Sequence, residues 1–162
     1  MNKIGWTKGL MLSIGDLLDR RSILIQDKSK KKTDLLRDMV GLLSKTERLK
    51  NPKKALGDVI DREKEKGTGL EQGVAVPHCR TEGTERLAAA FALVREGIDF
   101  GALDGEPSRF VFLLVSPKNA TTTHVQALAT MARLLKREDV QTALLGAKDA
   151  AEVERILTEN DE

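Results

Sequence analysis

The run FVFLLV, Phe110 to Val115, is apolar at six consecutive positions and limits the possible fold more than any other segment. Successive side chains of a strand point to opposite faces, so a strand with no polar alternate needs cover on both sides. LAAAFALV, Leu87 to Val94, and GVAV, Gly73 to Val76, also read as strands, and SILI, Ser22 to Ile25, is a shorter β-rich run.

The cover is written around these runs as helices. Leu35, Leu36, Met39, Val40 and Leu43 recur at helical spacing and predict a helix over about Lys31 to Ser44. Asn51 as N-cap and Pro52 at the first helical position open a second, with Ala55, Leu56, Val59 and Ile60 as its buried stripe and Gly67 and Gly69 as its stop. Thr123 and Gln126 form a capping-box pattern before a third, whose stripe is read as Val125, Leu128, Ala129, Ala132 and Leu135. Two short helices are expected at 139–145 and 149–157, a helical turn at 14–18, and a turn-rich connection from Gly97 to Pro107. The predicted fold class is α/β: a single domain with a mixed parallel and antiparallel sheet of about four or five strands, flanked by helices on both faces.

A chain of 162 residues with 40% hydrophobic content fits one core-bearing domain, expected over residues 13–160. Residues 1–12 (MNKIGWTKGLML) have no period and are expected to be an arm. No window approaches the roughly 18 apolar residues of a membrane span, and the start lacks a secretory pattern, so a cytoplasmic protein without membrane insertion is expected. The formal charge of +2 does not point to nucleic acid as a partner. The single cysteine, Cys79, excludes an internal disulfide and a CxxC metal site.

Only two histidines are present, His78 and His124. Imidazole titrates near pH 6.5, so it can be neutral and nucleophilic at cellular pH. In GVAVPHCR, Pro77 removes a backbone donor and is expected to end regular pairing, leaving His78 at the sheet's edge. Cys79 points to the opposite face from its neighbour, which argues against a Cys/His nucleophile pair. His124 opens a helix whose free N–H groups and dipole favour an anion and should keep the imidazole neutral. Thr122 and Thr123 add hydroxyls there, and Arg62 can reach over from the end of its helix. Each residue also has a plainer reading. His78 can be a loop residue, His124 a cap or half-buried structural group, Arg62 in DREKEK part of a solvated charged face, and Thr68 a turn residue.

These residues resemble the enzyme IIA domains of the bacterial phosphoenolpyruvate-dependent sugar phosphotransferase system, in the fructose, mannitol and nitrogen-regulatory branch. The similarity runs from about Ile14 to Leu157 and is carried by REKEKGTGLEQGVAVPHCR, Arg62 to Arg80, and LLVSPKNATTTHVQALATMARLL, Leu113 to Leu135. The family pattern is matched at Arg62, Thr68, Gly69, Gly73, Ala75, Pro77 and His78, and the family's second histidine falls on His124. The resemblance implies that His78 accepts a phosphoryl group on Nε2 from the histidine phosphocarrier protein, with His124 and Arg62 stabilising the product; Thr68 of the matched turn and Thr122 and Thr123 of the helix start are expected in support. It implies no metal and no organic cofactor. The acceptor is expected to be a IIB component, or the phosphoryl group serves as a nitrogen-regulatory signal that controls docking. No IIB-like or IIC-like segment occurs in these 162 residues, which favours the regulatory reading slightly.

Overall fold

The computed structural model describes residues 13–161, so the arm expected over residues 1–12 lies outside the described residues. In chain order the elements are α1 (Ile14–Leu17), β1 (Leu18–Gln26), α2 (Lys32–Lys45), α3 (Pro52–Glu65), β2 (Val74–Ala75), β3 (His78–Thr81), β4 (Ala88–Ile98), β5 (Ser108–Pro117), α4 (Thr121–Leu135), α5 (Glu138–Leu145) and α6 (Ala150–Glu159). The sheet order is β1-β4-β5-β2, with β3 also on β5. β1 runs parallel to β4, β4 antiparallel to β5, and β2 and β3 parallel to β5. The mixed sheet between two helical layers is the architecture expected from the apolar runs.

The unbroken hydrophobicity of β4 and β5 is explained by two cores. Ala89, Phe91 and Leu93 of β4 enter one with Phe110, Phe112 and Leu114 of β5, beneath α1, α4, α5 and α6. Ala88, Ala90, Ala92 and Val94 enter the other with Val111, Leu113 and Val115, beneath α2 and α3. Alanines on this second face let the leucine-rich side of α2 sit directly on β4.

Three local expectations are corrected. Pro77 interrupts pairing without ending it: its carbonyl still accepts from the Leu114 N–H at 3.0 Å, and β3 resumes at once with His78 opposite Leu114. Proline lacks a donor but keeps its acceptor, which suffices on an edge strand. α4 starts at Thr121 after Ala120, with no side-chain cap, so Thr123 and Gln126 form no capping box; the Thr123 hydroxyl turns back to the Ala120 carbonyl at 3.4 Å. The buried side of α4 is His124, Ala127, Met131, Leu134 and Leu135, while Val125 is 58% exposed. Of the expected stripe, Leu135 is buried and Leu128 packs half-buried against the core, while Val125 and Ala129 face out, because an alanine-rich helix offers two apolar faces and only packing selects one.

Candidate functional site

β3 lies at the sheet edge, and its alternation sorts four residues by task. Cys79 and Thr81 turn toward α3: the Cys79 thiol lies 3.9 Å from the Ala55 carbonyl, and the Thr81 hydroxyl donates to Asp58 at 2.6 Å. His78 and Arg80 alternate with them and face an open cleft of about 680 Å³ between α3 and the start of α4, which Cys79 also borders. Arg62 enters this cleft from α3, and Thr121, His124, Val125 and Leu128 line it from α4. The two histidine rings meet edge-on, with centroids 5.2 Å apart.

The protonation of His78 follows from one contact. Its Nδ1 lies 2.7 Å from the Val76 carbonyl, which can only accept, so Nδ1 carries the proton and Nε2 keeps its lone pair in the neutral ring. Partial burial pushes the His78 pKa below 6.5 against the pull of the Val76 carbonyl, and the charges of Arg62 and Arg80 push it further down. His124 is 6% exposed, and its Nδ1 meets the Ser116 hydroxyl at 2.7 Å. Its pKa falls to about 4, first through burial and then through the neighbouring His78, Arg80 and Arg62. At neutral pH both rings are therefore uncharged. The neutrality expected of His124 holds, with desolvation as its leading cause.

The cleft carries both signs of charge. Arg62, Arg80 and Lys118 line it together with Asp58, Asp61 and Glu65. Asp58 is already engaged by Thr81 and Lys54, and Arg80 is steered by a 2.8 Å bond to the Thr121 hydroxyl. The Arg62 Nη1 donates to the Lys66 carbonyl at 3.0 Å, which bends the side chain back over its own helix end. Among the described residues no group of histidines, cysteines and carboxylates is arranged to hold a metal ion.

The sequence-selected residues thus divide. His78, His124 and Arg62 share the cleft, whereas Thr68, Thr122 and Thr123 do not line it. The Thr68 hydroxyl is buried against Glu63, Thr122 is exposed on α4, and Thr123 faces a separate hollow beside Arg48 and Arg86. Sequence reasoning passed over Arg80, Thr121 and Ser116. Arg80 had a usable signal, since it stands two residues after His78 on the same side of a strand. Cys79 is buried, and desolvation raises its thiol to about 12, so it is no nucleophile.

Fold and site together define an α/β protein that presents the free nitrogen of a neutral histidine in a cleft lined by arginines, beside a second, buried histidine. Residues 16–160 match the family described as the phosphoenolpyruvate-dependent sugar phosphotransferase system, EIIA 2, and the chain belongs to that family. It is 31% identical over 150 residues to the "PTS system fructose-specific EIIABC component" of Bacillus subtilis, covering 93% of this chain but only 24% of that protein. It is 37% identical over 99 residues to a "Nitrogen regulatory protein" of Bradyrhizobium diazoefficiens, covering 61% of this chain and 65% of that one. The chain therefore spans less than two thirds of either relative. Among solved structures, the nitrogen regulatory protein IIA-Ntr of Neisseria meningitidis superposes with a TM-score of 0.77 at 31% identity, covering 90% of this chain and 99% of that one. IIA mannitol of Escherichia coli superposes at 0.73 and 25% identity, covering 86% and 97%. Members of this family are phosphotransferase components, and its sugar-transport and nitrogen-regulatory branches both resemble this chain. Among the described residues no helix is long and apolar enough to cross a membrane.

Proposed function

We propose that His78 is the phosphoryl acceptor of a relay, taking the group from the histidine phosphocarrier protein and passing it to a IIB component or holding it as a regulatory signal. The observation that carries this reading is the 2.7 Å bond from His78 Nδ1–H to the Val76 carbonyl, which leaves Nε2 as the nucleophile. The Nε2 lone pair forms a bond to phosphorus as the donor's P–N bond breaks, and that electron pair returns to the donor imidazole. No general base is needed, because neutral imidazole attacks without losing a proton. Arg62 and Arg80 supply positive charge for the equatorial oxygens, and a phosphoryl oxygen can accept from His124 Nε2–H when Ser116 donates to Nδ1. Thr121 steers Arg80, while Thr68 acts from behind the site.

The likeness to nitrogen regulatory proteins supports a second reading, in which phosphorylation of the same histidine changes partner docking with no onward transfer. Both readings require phospho-His78. Incubation with phosphoenolpyruvate, enzyme I and the phosphocarrier protein should add one acid-labile phosphoryl group, read by intact mass. A His78→Ala protein that still gains it would refute the assignment. Adding a purified IIB component then separates onward transfer from a held regulatory signal, since only onward transfer expects the group to leave.

A further inference from the structure

Glu63 follows Arg62 in α3, in a stretch whose charges read as a solvated face, yet it is only 4% exposed. One carboxylate oxygen accepts the Thr68 hydroxyl at 2.6 Å. The other accepts the Thr68 N–H at 2.9 Å and the Lys32 ammonium at 3.1 Å. Three donors compensate its burial, but a buried ion pair contributes little net stability compared with an apolar replacement of the same volume. Its bonds therefore call for another use, and they lead to the site.

The Thr68 carbonyl accepts the Val76 N–H at 3.1 Å, and the Val76 carbonyl accepts the His78 Nδ1–H at 2.7 Å. The turn between Glu63 and Thr68 also supplies the Lys66 carbonyl that holds Arg62 at 3.0 Å. This turn has little room to move, since a Cβ on Gly67 would stand 2.6 Å from the Phe100 carbonyl oxygen. One buried carboxylate thus stands at the root of two connections, one ending on the acceptor ring and the other on the arginine beside it.

We propose that Glu63 is a positioning residue for His78 and Arg62, clamping the turn through Thr68 so that the Val76 carbonyl keeps the His78 proton on Nδ1 and leaves Nε2 free. Which imidazole nitrogen carries the proton is set by the bond that the other nitrogen makes. When the Val76 carbonyl drifts, Nδ1 loses its fixed partner and part of the population moves its proton to Nε2, where it blocks attack. The consequence for transfer rests on the reading of His78 as the acceptor; the clamp and the tautomer do not.

The test uses unphosphorylated protein carrying ¹⁵N-histidine, with long-range ¹H–¹⁵N spectra recorded above the His78 titration midpoint. Glu63→Gln keeps the volume but removes the charge and leaves one acceptor for two Thr68 donors. Thr68→Val keeps the shape and removes the hydroxyl, while Thr68→Ser restores it. The first two should show a larger Nε2–H fraction at His78 and accept phosphate roughly tenfold to a hundredfold more slowly, with Thr68→Ser close to wild type. Backbone amide spectra establish that each variant is folded, and if Glu63→Gln is not, the Val and Ser pair decides. A wild-type tautomer in the folded variants overturns the proposal, as does an unchanged acceptance rate where the wild type accepts phosphate on His78. A wild-type protein that takes no phosphate on His78 defeats the acceptor reading alone, because the tautomer spectra still judge the clamp.

Discussion

The rings of His78 and His124 meet at 66° with their centroids 5.2 Å apart, and each is fastened through Nδ1 at 2.7 Å, to the Val76 carbonyl and the Ser116 hydroxyl respectively. Two imidazoles this close would repel if both were charged, and burial with two nearby arginines keeps both neutral. That pairing makes the site sensitive to acid and to the loss of either arginine.

His124 is expected to titrate at about 4, below the 6.5 of the unfolded chain. Between these values the unfolded state binds more protons, so stability falls as the pH drops from 6.5 and the loss is complete near 4. For this group alone the full loss is on the order of 3 kcal/mol. Urea denaturation across this window should show it, and His124→Asn should flatten the slope. A His124 midpoint above 6 by NMR would contradict the burial that underlies this expectation.

Arg80→Ala should raise the titration midpoints of both histidines, because the Arg80 charge lowers each of them. It also frees the Thr121 hydroxyl. NMR titration reads both shifts, and unmoved midpoints would show that solvent screens Arg80 from the rings.

Ser116→Ala removes the partner of His124 Nδ1 from a buried position. A stability loss of about 1–3 kcal/mol is expected from the unpaired group. Phosphoryl acceptance should persist at His78 but slow roughly tenfold, as a positioned donor is lost. Rapid-quench rates equal to wild type would leave His124 a purely structural residue.

Cys79 should resist thiol reagents at pH 8 in the native protein and react fully after unfolding, because burial raises its thiol to about 12. Cys79→Ala should accept phosphate normally. Fast native labelling would show that the β3 edge opens.

Gly67→Ala should cost about 1–3 kcal/mol, read by denaturation. Its new Cβ would meet the Phe100 backbone carbonyl oxygen at 2.6 Å, a clash that no side-chain rotation relieves. Wild-type stability would mean that the turn shifts freely, and the clamp on Val76 would weaken with it.

Much of the architecture was legible because strand and helix periods are local. The apolar alternates of Leu87 to Val94 and Phe110 to Val115 required two covered faces, and Asn51 before Pro52 marked a helix start that the structure shows with Asn51 accepting from the Lys54 N–H. Errors arose where phase or context decides. α4 offered Val125 and Ala129 as core, but the sheet took His124, Ala127 and Met131. Thr122 and Thr123 appeared to stand at the helix start, but the turn from Pro117 to Ala120 set that start one residue earlier and turned Thr121 toward the cleft.

The sequence by itself determined the α/β class, through the period of its apolar runs, and two short ordered motifs carried the likeness to the family and pointed to Arg62, His78 and His124, which share one cleft. Only the tertiary structure decided that Arg80 lines the same cleft and that Thr68 lies behind it, bonded to Glu63. It also showed that Glu63, in a run of charges, is buried. Those outcomes depend on which side of an edge strand faces the cleft and on hydrogen bonds that cross between α2, α3 and the β2–β3 edge. Such contacts are fixed by packing between distant segments, and no local pattern encodes them.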